Sequence, residues 1–158
     1  ELAKKCHENG ISVIIETAGC VPFENFEQVL PYVDEFYFDV KAPDAARYSS
    51  IGGNFELILS NLKRLAPMSN VTAKIPLIPG FNNSPEDIRA LAKLIYGSGI
   101  KKAELLPFHR LATGKYEALG CEYPYADTPP AKRSEVEATC EIFRAALPLG
   151  AEFELSHQ

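Results

Sequence analysis

The feature that most constrains this chain is the regular exchange of short β-branched and aromatic runs with amphipathic helical stretches. Apolar runs of strand length cover residues 12–15, 35–40, 71–78 and 103–106. Between the second and third, Asn54 is placed to cap a helix whose Phe55, Ile58, Leu59, Leu62 and Leu65 form one apolar stripe at helical spacing. A second helix is announced by Ser84 as cap, Pro85 in the first turn, and Glu86 and Asp87 at the positive end of the helix dipole. It continues through Ile88, Leu91 and Ile95 and stops at Gly97 and Gly99. A third starts near Ser134, turns Val136, Cys140, Phe143 and Leu147 to one face, and stops at Pro148 and Gly150. A shorter helix over 24–30 uses Phe23, Phe26 and Leu30, and the opening segment reads as helix, with Leu2 and Cys6 one turn apart and Gly10 as its stop. Strands alternating with helices call for an α/β fold with a parallel sheet and right-handed crossovers, built here from four βα units.

At 158 residues the chain has the length of a single domain, 1–158. It is 46% hydrophobic and 23% charged, without a run of the roughly 18 to 20 apolar residues that spans a bilayer, so a membrane partner is not expected. With 16 Lys and Arg against 21 Asp and Glu, a net charge of −5, it lacks the basic surplus that a nucleic-acid backbone demands. The four cysteines, Cys6, Cys20, Cys121 and Cys140, are scattered with no CxxC pair, which favours unpaired thiols in a reducing cytoplasm and predicts no metal site and no cluster on anaerobic reconstitution. Met68 is the only methionine and the chain opens at Glu1, so part of a larger fold is expected upstream. Residues 110–131 form a long loop punctuated by Gly114, Gly120, Pro124, Pro129 and Pro130, and loops of that length are more often functional than decorative.

In parallel βα folds ligands bind at the carboxyl ends of the strands. Here those ends carry Glu16 and Thr17, then Asp39 and Lys41, then Lys74, then His109. Strand alternation puts Tyr37, Asp39 and Lys41 on one face and Phe36, Phe38 and Val40 on the other, so the second set covers helices and the first faces a concavity. Each residue has an ordinary reading: a strand-end ion pair for Asp39 and Lys41, a lysine snorkelling from an edge strand for Lys74, a helix cap for Glu16, a satisfied histidine for His109. Four polar strand ends in succession at the same end weaken all four of those readings together.

Taken in order, ETAG, FDVK, AKIPLIPGFNN and ELLPFHRLATGKYEALG, with the prolines that follow, resemble the later two-thirds of the radical S-adenosylmethionine (SAM) activating enzymes for glycyl-radical enzymes, the pyruvate formate-lyase activating enzyme group. The resemblance implies the last four units of a partial TIM-like (β/α)6 barrel, a C-terminal portion whose cluster cysteines, in a CxxxCxxC loop, and GGE segment lie before Glu1. In that family a [4Fe-4S] cluster passes an electron to SAM, and the radical released takes hydrogen from a glycine of the partner enzyme; flavodoxin or ferredoxin serves as reductant. By the same resemblance Glu16, Thr17, Asp39, Lys41, Lys74 and His109 hold SAM. Lys74 stands where the family commonly has Arg, keeping the charge without the two-pronged fork. Glu16 replaces Asp, Phe108 replaces Tyr, and Ala112 replaces Gly.

The expected function is therefore that of a cytoplasmic glycyl-radical enzyme activating enzyme, represented here by a portion inactive alone and binding SAM poorly. Two alternatives are a conventional TIM-barrel enzyme fragment using Glu16, Asp39 and Lys41 for aldolase-like or metal-assisted chemistry, and a non-catalytic βα interaction module. A bare edge on the first strand, and apolar side chains such as Ile14 and Leu105 facing an open barrel, predict self-association, with the helix near Leu2 and Cys6 partly shielding the gap.

Overall fold

The computed structural model describes residues 1–157. Its elements in chain order are α1 (Leu2–Glu8), β1 (Ile14–Thr17), α2 (Glu24–Val29) with a 3-10 turn (Leu30–Tyr32), β2 (Glu35–Asp39), α3 (Ala45–Ser50), α4 (Phe55–Leu65), β3 (Asn70–Pro76), α5 (Pro85–Gly97), β4 (Lys102–Leu106), α6 (Thr113–Ala118), α7 (Arg133–Ala145) and β5 (Glu154–His157). The five strands form one sheet in the order β1-β2-β3-β4-β5, every neighbouring pair parallel. Consecutive parallel strands joined by same-handed crossovers place their helices on one face and leave the other open, which is the geometry of a barrel segment. Among the described residues no helix is long and apolar enough to cross a membrane.

Local signals explain the helices. Asn54 caps α4 by accepting from the Leu57 N–H at 3.1 Å, and Ser84 caps α5 by accepting from the Asp87 N–H at 3.1 Å. Their stripes are buried as the spacing requires: Ile58, Leu62 and Leu65 on α4, and Ile88, Leu91 and Ile95 on α5. These stripes pack with Phe36, Phe38, Ala73, Ile75, Ala103 and Leu105, alternate residues of β2, β3 and β4, and with Val40 just past the end of β2.

The structure departs from the sequence reading in five places. A fifth strand, β5, pairs with β4; its sequence ELSH has no β-branched residue and forms a strand through its neighbour rather than through propensity. Helix α3 was not anticipated, although Asp44 supplies its cap by accepting from the Arg47 N–H at 2.9 Å. The long loop contains α6. It folds back on the strand end through a chain of aromatic contacts, Phe108 to Tyr125 at 5.5 Å, Tyr125 to Tyr123 at 6.0 Å and Tyr123 to Tyr116 at 4.8 Å between ring centroids.

The fourth departure concerns Leu105, which is fully buried on the helix side while Ile14 is 48% exposed. Alternation along β4 gives Ala103 and Leu105 to the helices and Glu104 to the open face. At Leu105 the expectation is thus corrected: the open face carries Glu104 there, while Ile14 remains an exposed apolar side chain on it. The β1 edge stays without a neighbouring strand among the described residues. Finally, α1 buries no residue, and its ring contact runs from His7 to Tyr32 at 6.1 Å.

Candidate functional site

The open face of the sheet is read row by row from the strand register. Glu16 lies beside Tyr37 and Tyr37 beside Thr72 in one row; Asp39 lies beside Lys74 and Lys74 beside Glu104 in the next. Beyond these rows, toward the carboxyl ends, Leu106, Pro107, Phe108 and His109 complete a cleft of about 440 Å3 that Glu16, Tyr37 and Lys74 also line. The sheet thus brings Glu16, Lys74 and His109 to one cleft, with Asp39 in register beside Lys74 and Lys41 just beyond it. Thr17 takes the alternate orientation, in register with the buried Phe38, and its Oγ1 accepts from the Gly19 N–H at 3.1 Å.

Lys74 is the most constrained charge in this group. It occupies the central strand rather than an edge, and its side chain is only 8% exposed. Its ammonium pairs with the Glu104 carboxylate and sits 4.1 Å from the centre of the Tyr37 ring. A buried ammonium needs both a counter-charge and donors satisfied, and Glu104 with the Tyr37 π-face supplies them. Asp39 and Lys41 form a second pair at 2.8 Å, with a third or less of each side chain exposed. His109 accepts from the Leu111 N–H through Nδ1 at 3.3 Å, which leaves Nε2 to carry the proton of the neutral ring. Glu16 is exposed, and among the described residues its carboxylate has no ion-pair partner.

Buried side chains outside the cleft hold these strand ends. Asn61 lies on the buried face of α4 and its Nδ2 donates to the Gly19 and Val21 carbonyls at 2.8 and 2.7 Å, fixing the turn after β1. Gly19 itself has φ of +71°, and a Cβ there would run into the Phe38 ring. Arg47 on α3 bridges Asp44 at 2.9 Å and Asp87 on α5 at 2.6 Å. Tyr48 is buried, and that burial pushes its hydroxyl to titrate above the ordinary tyrosine value.

Sequence reasoning missed Glu104, Asn61 and Asn82 as parts of this construction. The signal for Glu104 was present, since alternation in ELL points it to the same face as Lys74 once the register is known. Asn61 falls at helical spacing among Ile58, Leu62 and Leu65 on the buried face of α4, so a polar residue inside an apolar stripe was its signal. Asn82, fully buried with its Nδ2 donating to the Lys41 and Pro76 carbonyls, lies in a loop where no spacing rule isolates it.

A larger cavity of about 570 Å3 lies at the opposite, amino ends of the strands, lined by Ser12, Asp34, Asn70, Lys101 and Lys102 among others. Both carboxylates that line it are already engaged: Glu35 accepts from the Thr72 hydroxyl, Asp34 accepts from the Val13 N–H at 2.7 Å and from Ser12 Oγ at 3.2 Å, and the backbone bond holds the Asp34 carboxyl below the ordinary aspartate value. In βα folds that end generally serves stability, and ligands generally bind at the carboxyl ends, where the smaller cleft lies. Among the described residues no three His, Cys, Asp or Glu side chains gather as a metal-binding group, and the cysteines are free. Cys140 is buried with its Sγ 3.7 Å from His157 Nδ1, and burial pushes its thiol up rather than activating it.

An open parallel sheet of consecutive βα units with a charged cleft at its carboxyl ends is the geometry of a partial (β/α) barrel. A crystal structure of a domain of pyruvate-formate lyase-activating enzyme from Bacteroides vulgatus ATCC 8482 superposes on it with a TM-score of 0.77, covering 99% of this chain and 87% of that one at 19% identity. No family profile matches the chain. Individual curated relatives do: the choline trimethylamine-lyase activating enzyme of Oleidesulfovibrio alaskensis is 38% identical over 86% of this chain, and the indoleacetate decarboxylase activating enzyme of Tractidigestivibacter scatoligenes is 32% identical over 92%. The chain spans about half the length of these relatives, 46% and 47%. By sequence it belongs with the glycyl-radical enzyme activating enzymes, over the segment it shares with them.

Proposed function

We propose that this chain forms the SAM-holding side of an enzyme that activates a glycyl-radical enzyme. The observation that carries the reading is the convergence of Glu16, Lys74 and His109 on one cleft, with the Asp39–Lys41 pair at its margin. The donor set suits the methionine end of SAM, a zwitterion bearing a sulfonium. Lys41 and Lys74 offer ammonium groups to a carboxylate, Glu16 and Asp39 offer carboxylates to a cation, and His109 Nε2–H is a donor for the nucleoside. Thr17 acts from the turn, holding Gly19 in place. SAM, when bound and reduced, supplies the power to abstract hydrogen from carbon.

A [4Fe-4S] cluster does not fit the residues described here, since no three thiolates converge. On this reading the cluster ligands come from outside this segment and the chain by itself is inactive. The protein substrate is a glycine-bearing partner enzyme, the electron donor a flavodoxin or ferredoxin, and the compartment the cytoplasm. The conventional-barrel reading finds no support among the curated relatives above, which are activating enzymes.

Anaerobic treatment of the chain with iron and sulfide, followed by dithionite and SAM, tests the division of labour. The expected result is no stoichiometric [4Fe-4S]+ EPR signal and no SAM cleavage. A full signal with turnover would show that the segment assembles a cluster of its own and overturn this assignment.

A further inference from the structure

Lys41 lies just beyond the end of β2, where the last ladder bond is donated by the Val40 N–H to the Lys74 carbonyl at 2.8 Å. Past that point a loop backbone would be free to move, yet both polar groups of the Lys41 main chain are held. Its N–H donates to the Tyr48 hydroxyl at 2.9 Å, and its carbonyl accepts from Asn82 Nδ2 at 2.8 Å. The two gripping side chains come from different parts of the fold, Tyr48 from α3 and Asn82 from the loop between β3 and α5.

Both are buried, Tyr48 to 3% exposure and Asn82 to 0%. Asn82 uses its remaining capacity locally: Nδ2 also donates to the Pro76 carbonyl at 2.6 Å, and Oδ1 accepts from the Ile78 N–H at 2.7 Å. One amide group therefore ties the end of β2 to the end of β3. Tyr48 is fixed in turn by its ring contact with Phe55 at 5.7 Å and by the Gly53 N–H, which donates to the Tyr48 carbonyl at 2.7 Å. Gly53 is small for a reason, since a Cβ there would meet the Tyr48 ring at 2.8 Å.

We propose that Tyr48 and Asn82 are positioning residues for Lys41, gripping its main chain from both sides so that its ammonium is held beside Asp39 to receive the carboxylate of the bound cofactor. This inference rests on the reading of Lys41 as a SAM-holding residue. A group that must meet a small ligand at the tip of a strand gains affinity when its backbone is immobilised before binding. Nothing else in the sheet ladder supplies that immobilisation at Lys41.

The test is a double-mutant cycle on the full chain, with SAM as the probe, followed by NMR titration into the millimolar range and by amide exchange at Lys41. Tyr48→Phe removes only the hydroxyl and keeps the ring in the core. It should speed exchange of the Lys41 amide and weaken SAM binding about two- to tenfold, the worth of one hydrogen bond. Asn82→Ser should do the same at the carbonyl side, with a larger loss of thermal stability. In a Lys41→Ala background, Tyr48→Phe should still lower the melting temperature but leave SAM affinity where Lys41→Ala alone sets it. The proposal is overturned if Tyr48→Phe leaves affinity unchanged while Lys41→Ala weakens it, or if its effect is undiminished without the lysine side chain. Unchanged affinity in Lys41→Ala, or no saturable SAM binding by the parent chain, instead overturns the assignment of Lys41 itself and the proposal with it.

Discussion

The two faces of the sheet are made from the same few residues of strand, yet they solve opposite problems. On the helix side Phe36, Phe38, Ile75 and Leu105 are all at 0% exposure. On the open side the residues interleaved with them are Tyr37, Asp39, Lys74 and Glu104, charged or polar, with Lys74 held by Glu104 and the Tyr37 ring and Asp39 paired to Lys41. One face holds the fold together through burial, and the other holds charges at fixed places in front of a cleft. A strand whose two faces are offset by one residue lets stability and chemistry be set almost independently, because side chains on opposite faces do not touch.

The largest expected effect is on the helix side. Phe38→Ala should cost about 3–5 kcal/mol in urea unfolding, because the ring is fully enclosed and its loss leaves a cavity. A cost below about 1 kcal/mol would mean that this face is not where stability resides. On the open side, Lys74→Met should cost less, about 1–3 kcal/mol, since it strands the Glu104 carboxylate, whose side chain keeps partial access to water. Adding Glu104→Leu should recover most of that loss by removing the orphaned charge, which is how a buried pair differs from a packing contact. If the double variant is no better than the single one, the pair is not the reason Lys74 lies so deep.

The smallest effect lies at the amino ends and depends on pH. Asp34 binds protons less readily folded than unfolded, so its contribution is complete above the ordinary aspartate value of 3.8 and fades as pH falls through the lowered folded value. Stability measured against pH should lose a small acid-side slope in Asp34→Asn, while the behaviour near neutrality changes only through the exchange of a charged for a neutral acceptor at the Val13 N–H and the Ser12 hydroxyl. An unaltered acid-side slope would show that this carboxylate is not coupled to folding.

How much of this was legible in the sequence follows the same division. The helix-side face declared itself through the alternation of FYFD and through the caps Asn54 and Ser84, because burial and capping leave periodic, local marks. The strand ends bearing Glu16, Asp39, Lys41, Lys74 and His109 were legible for the same local reason. What escaped were pairings between distant strands: β5, whose pattern acquires meaning only beside β4; Glu104, whose importance depends on register with Lys74; and the error over Leu105, which alternation along β4 alone would have corrected. Asn82 escaped because a buried loop amide that bridges two strand ends has no periodicity at all, and Asn61 because its partners, the Gly19 and Val21 carbonyls, lie some forty residues away in the turn after β1. Register and loop-to-loop bonds are properties of the assembled sheet, and one sequence records them only indirectly.

The most direct measurement of the central claim is a chemical-shift map of this chain, isotopically labelled and titrated with SAM into the millimolar range. The account predicts weak, saturable shifts confined to the carboxyl ends of the strands, at Glu16, Tyr37, Lys41, Lys74 and His109, with the Phe38 and Leu105 side unmoved. Shifts centred instead on the amino-end cavity around Ser12, Asp34 and Lys101, or no saturable shifts anywhere, would contradict it.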